Sequence, residues 1–174
     1  FVGYQGIADI VLRLDESGNG HSLAAAIPQV PLRPFEAVCH CLENVVVGSD
    51  ITAAVIARAE SALHQAQDTT LLSAAIRAIA LAEDRSETRR LIARVLAAPC
   101  STDPGILAAI GGRAWEALAE PTLAAAYLAR LAENSAGQHF FDQCLSDLLF
   151  LPGMRQPLLD ALRSPERSAA LSQR

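Results

Sequence analysis

Helix-start signals recur along this chain at a nearly constant spacing. Pro34, Asp50, Thr69 or Thr70, Ser86, Asp103-Pro104, Pro121, Ser135 and Gln156-Pro157 each stand before an apolar stripe. Aspartate, serine and threonine accept hydrogen bonds from the backbone N–H groups that open a helix. Proline suits the first turn, where its missing N–H would have had no intrahelical partner. The predicted starts, near 34, 50, 69, 86, 103, 121, 138 and 156, lie about 17 residues apart, so a pair of helices repeats roughly every 34 to 36. Connectors that short make neighbouring helices antiparallel. The pattern predicts an all-α fold of antiparallel helical hairpins stacked as an α-solenoid. The alternative is an irregular multi-helix bundle, where short helices give a similar spacing.

The helices are expected from Pro34 to about Val46, from Asp50 to about Gln67, from Thr69 or Thr70 to about Ala82, and from Ser86 to Ala98. Further ones are expected from Asp103-Pro104 to about Leu118, from Pro121 to Glu133, from a Ser135 cap to before Pro152, and onward from Gln156-Pro157. Ser164-Pro165-Glu166 opens a short last helix. Alanine and leucine, 33 and 24 of the 174 residues, favour helix. A 5% aromatic content leaves little to build a sheet. Ahead of the regular array, Ile7, Ile10, Val11 and Leu14 mark one face of a helix over 5–15. Ser17-Gly18-Asn19-Gly20 reads as a turn and 23–27 as two more helical turns. Pro28, Pro31 and Pro34 predict an extended connector. The reading is therefore an N-terminal segment with a proline-rich connector, 1–33, packed on a helical-repeat array, 34–174, as one structural domain. A chain opening on Phe1 is expected to be a piece of a longer one.

Residues 69–133 loosely resemble HEAT-like repeats, since Asp84-Arg85-Ser86-Glu87-Thr88-Arg89-Arg90-Leu91-Ile92-Ala93 joins a short turn to an arginine-bearing helix. The opening, Phe1-Val2-Gly3-Tyr4-Gln5-Gly6-Ile7-Ala8-Asp9, with alanine- and leucine-rich helices behind it, resembles the C-terminal part of an uncharacterised gammaproteobacterial protein family. That resemblance implies no activity and supplies no site residues.

Net charge is −5, which disfavours an electrostatic nucleic-acid binder. All 14 basic residues are arginine, so no phosphate-loop lysine exists. A GC-rich genome accounts for that bias as well as any chemistry does. The four cysteines, Cys39, Cys41, Cys100 and Cys144, match neither a zinc motif nor a secreted framework, and reduced thiols in the cytoplasm are expected. No uncharged apolar run is long enough for a membrane span.

Few residues suggest chemistry. Glu36, His40 and Glu43 share a helix face, and Glu60 with His64 repeats the pairing. Both sets lack further ligands and read as solvated faces. Cys41 and Cys144 read as core thiols and Cys100 as the exposed one. Gly111-Gly112 reads as a kink or close backbone contact, and Trp115 as core. The densest basic group is Arg85, Arg89, Arg90 and Arg94. It is the candidate partner-binding face, against a solvated face neutralised by Glu83, Asp84 and Glu87. No catalytic, cofactor or metal set emerges. The expected function is a non-enzymatic scaffold or interaction domain that binds another protein. Self-association through Phe1, Val2 or Trp115 is a further option. The alternatives are an enzyme or small-ligand receptor with an inter-helix cleft, and a nucleic-acid module using the arginine face.

Overall fold

The computed structural model describes residues 3–16, 18–65 and 68–174. Phe1, Val2, Ser17 and Gln67, named above, lie outside them. Among the described residues the chain is all-α, with eleven α-helices, three 3-10 turns and no sheet. No helix among them is long and apolar enough to cross a membrane. The chain divides into two compact units, Phe1–Thr88 and Arg89–Arg174.

The first unit holds α1 (Tyr4–Leu12), α2 (Asn19–Ala26), α3 (Leu32–Leu42), α4 (Ser49–Gln65), α5 (Thr69–Ala78) and the first turn of α6 (Arg85–Ala97). Alternate helices pack together: α1 on α3, α3 on α5, and α2 on α4. The N-terminal segment thus packs within this unit. Phe35, Val38, Cys39 and Leu42 form the buried stripe of α3, and Leu72, Ile76 and Ile79 fill the core beside them. Asp68 caps α5, its Oδ1 accepting from the N–H groups of Thr70 and Leu71 at 3.1 Å each. The helix starts at Thr69, one of the two predicted starts, and ends at Ala78 rather than about Ala82.

Two expectations fail in this unit. The three prolines do not make an extended connector, because Pro28 lies in a 3-10 turn, Ile27–Gln29, whose Ile27 is buried. Pro31 precedes α3, which starts two residues before Pro34. The helix predicted to run to Val46 stops at Leu42. Val47 is instead fully buried and pairs with the segment after α5, its N–H donating to the Leu81 carbonyl at 3.2 Å and its carbonyl accepting from Glu83 at 3.0 Å. Of the valines that extended the apolar pattern, Val47 makes this bridge while Val46 is exposed.

The second unit continues α6 and adds α7 (Pro104–Gly112), α8 (Pro121–Ala132), α9 (Gln138–Leu149), α10 (Arg155–Arg163) and α11 (Ala169–Ser172). Here α7 packs on α9, and α8 on α10 and α11. Ile106, Leu107, Ile110, Tyr127, Leu128 and Leu158 are fully buried. Asp103 caps α7 through the N–H groups of Gly105 (2.9 Å) and Ile106 (3.1 Å), with Pro104 in the first turn. α7 ends at Gly112 rather than Leu118, and Trp115–Ala119 forms a separate 3-10 turn. Ser135 is not the cap of α9, which follows Gly137, a glycine at φ +90°. Asn134 folds that turn, its Oδ1 accepting from Gly137 N–H at 2.7 Å while Nδ2 donates to the Leu131 carbonyl at 2.6 Å. The last helix starts after Ser168, whose hydroxyl accepts from Leu171 N–H, and not at Ser164.

Candidate functional site

The arginines of α6 do not act as one cluster. Buried Leu91, Ile92, Val95 and Leu96 define the inner side of the helix. Arg90 and Arg94, one turn apart, are exposed on the opposite side. Arg89 is also exposed, at the margin of the buried stripe. Arg85 belongs to the first unit and turns back, donating through Nη1 to the carbonyl of Ala80. The exposed group is therefore Arg89, Arg90 and Arg94.

Arg85 is one of four arginines that seal carbonyls at or just beyond helix C-termini. Arg58 on α4 donates through Nη1 to the carbonyl of Ile27, at the end of α2. Arg130 on α8 donates through Nε to Leu96, in the last turn of α6, at 3.2 Å, and pairs through Nη1 with Glu133 at 2.8 Å. Arg174 places Nε and Nη2 at 3.0 and 2.7 Å from the carbonyl of Ala132, the last residue of α8. Helix C-termini carry partial negative charge and unpaired carbonyls, and a guanidinium meets both needs at once. Its five donors also let Arg130 cap one helix and hold Glu133 together. Sequence reasoning missed this use because donor and acceptor lie 31 to 42 residues apart in three of the four cases.

The polar groups singled out in the sequence do not converge. His40 is exposed and Glu36 half-buried, but Glu43 is buried, not solvated. It stands at the C-terminal cap of α3. Glu60 is half-buried and His64 exposed near the end of α4. Among the described residues, no group of three or more His, Cys, Asp or Glu can hold a metal ion. The thiols also sort differently from expectation. Cys39 is the core thiol of α3, because it continues the Phe35, Val38, Leu42 stripe; Cys41, two residues on, is only partly buried. Burial pushes the Cys39 thiol well above its ordinary range, with nearby Arg58 opposing the shift. Cys100 and Cys144 are partly buried too, and burial raises both. A thiol held protonated is a poor nucleophile. Trp115 is partly exposed rather than core.

Gly111 does mark a close approach. A Cβ there would lie 2.6 Å from Oη of Tyr127. Tyr127 is fully buried and donates that hydroxyl to the carbonyl of Leu107 at 3.2 Å.

One concavity lies wholly in the first unit. It is a cleft of about 420 Å³ lined by Pro28, Arg58, Ser61, Ala62, Asp68 and Leu71, with Ala57 beside them. The Arg58 guanidinium lies 4.1 Å over the ring of Phe35. Burial lowers its pKa from the ordinary value. A smaller basin, about 280 Å³, is lined by Asp15, His21, Asp50 and Glu83 among others. There His21 and Asp50 approach to 3.8 Å with both side chains largely exposed.

The sequence model of a family described as "Protein of unknown function (DUF3549)" matches residues 1–174. The chain belongs to the DUF3549 family. It is an uncharacterised family, as the likeness of the opening residues implied. No curated protein and no solved structure matches the chain. For DUF3549, what the arrangement can do must therefore be argued from its own residues.

Proposed function

We propose that this DUF3549 chain is a non-enzymatic helical-repeat scaffold that binds another protein through the exposed side of α6. The observation that carries the reading is the placement of Arg90 and Arg94 one turn apart, both exposed, opposite the buried Leu91, Ile92, Val95 and Leu96. Arg89 extends the same exposed group. Packing of alternate helices within each unit supports a stacked-hairpin reading, and such stacks present broad surfaces suited to partners. Guanidinium forks on one column match carboxylates on a partner helix or loop. The expected partner surface is therefore acidic, and the contact weakens with salt.

The test is affinity capture from the native cell at physiological salt, comparing the wild-type chain with Arg90→Glu/Arg94→Glu. Both positions are exposed, so the variant should keep its helical circular dichroism. A specific partner held by the wild type and reduced about tenfold or more by the variant supports the reading. Equal recovery of every partner by both chains refutes it.

A further inference from the structure

We propose that the cleft between α4 and the start of α5 binds a small zwitterion of the free α-amino-acid class, its carboxylate held by Arg58 and its ammonium by Asp68. The proposal is independent of the α6 surface. The cleft, about 420 Å³, falls in the size range of small-molecule sites. Two opposite charges line it, and each is fixed by backbone groups rather than by the other. Arg58 is anchored by the Ile27 carbonyl and by the Phe35 ring beneath it. Those contacts use one Nη and one face, leaving the remaining N–H groups of a permanently charged fork. Asp68 is anchored as the cap of α5, its Oδ1 taking the N–H groups of Thr70 and Leu71. The cap uses only that oxygen, so Oδ2 keeps its acceptor capacity and the carboxylate keeps its charge.

Fixed, opposite charges across a partly apolar cleft select their ligand by sign. A simple anion attracted by Arg58 meets Asp68, and a simple cation meets Arg58. A phosphate dianion is penalised more than a carboxylate for the same reason. A molecule carrying a carboxylate and an ammonium a few bonds apart satisfies both groups together. Ser61 adds a hydroxyl that donates or accepts, and Pro28, Ala62 and Leu71 offer apolar surface to a side chain. Because both charges are held before the ligand arrives, little order is lost on binding.

The experiment titrates the whole ¹⁵N-labelled chain with each free α-amino acid, to about 10 mM at neutral pH, a range suited to weak ligands. The N-acetyl form, lacking the ammonium, and the carboxamide form, lacking the carboxylate, are titrated alongside. The expected result is saturable movement of the Ser61 and Leu71 amide resonances by at least one amino acid, with both derivatives about tenfold weaker or worse. Asp68→Asn keeps an acceptor for the α5 cap, so the fold is retained. It should weaken the free amino acid about tenfold and leave the N-acetyl form no weaker, since the like charge it met is gone. Arg58→Gln should weaken the carboxylate-bearing forms, and Arg58→Lys, which keeps the charge, should restore part of the binding. The proposal is overturned if no amino acid moves those resonances, if the N-acetyl form binds as well as the free acid, or if Asp68→Asn binds like the wild type.

Discussion

Two adjacent glycines offer a test of how the second unit is packed. At Gly111 a Cβ would lie 2.6 Å from Oη of Tyr127, 3.4 Å from its Cζ and 3.7 Å from Cδ1 of Leu148. At Gly112 it would meet nothing within 4 Å. Neither glycine has a positive φ, so backbone strain does not separate them. Alanine at either site gains helix propensity of up to about 1 kcal/mol. At Gly111 that gain opposes a steric cost. Tyr127 is fully buried, so its hydroxyl cannot swing into solvent. Either the ring shifts and loses the Leu107 bond, or α7 moves off α8. Overpacking of this kind costs about 1–3 kcal/mol. Gly111→Ala is thus expected to lose about 0–2 kcal/mol net, whereas Gly112→Ala gains up to about 1. The assay is urea unfolding followed by circular dichroism, with the m-value held as a check on the end states. Tyr127→Phe completes the cycle. Without Oη, the nearest Tyr127 atom is the ring carbon at 3.4 Å, an ordinary contact. Gly111→Ala should then cost about 1–2 kcal/mol less in the Phe background. A Gly111→Ala protein as stable as Gly112→Ala, or a cycle with no coupling, would refute the packing argument.

Two further outcomes follow from the structure. Asn134→Ala should destabilise the second unit by about 1–3 kcal/mol, because its buried amide bonds to backbone groups of both Leu131 and Gly137. Faster hydrogen exchange at the Gly137 amide is the local check, and an unchanged rate would count against that role. Stability should also fall as pH rises past the ordinary thiol value of 9.0, since folding raises the pKa of Cys39 and leaves only the unfolded chain free to ionise there. Below 9.0 the thiol is protonated in both states and contributes no pH dependence. Above it the loss approaches about 1.4 kcal/mol per pH unit for that thiol, and Cys39→Ala should flatten the slope. Equal slopes in both proteins would exclude Cys39 as the source.

Helix starts were more legible in this sequence than helix ends. A start is written locally: Asp103-Pro104, Pro121 and Asp68-Thr69 bring their own acceptors or their fixed φ. An end depends on what the chain meets next. Residues 45–47 keep the apolar character of α3, yet Val47 leaves the helix to pair with the segment 81–83, which no local pattern encodes. Leu118 continues the apolar run of α7, but two glycines after Ile110 let the helix stop and a 3-10 turn carry the leucine into the core. The inward place of Cys39, rather than Cys41, was legible: a stripe begun at Phe35 reaches Cys39 at i+4. The exposure of Arg90 and Arg94 was legible because their own helix supplies the buried stripe opposite. The cleft was not. Arg58 acquires its place only when Phe35 and Ile27, distant in sequence, are folded beneath and beside it.

The arginine seals also set an order in time. A ribosome releases α2 long before Arg58 and α6 long before Arg130, separations of 31 and 34 residues. At about 5–20 residues per second, each carbonyl waits roughly 2–7 s for its guanidinium. In each of these seals a later helix therefore fastens the end of an earlier one.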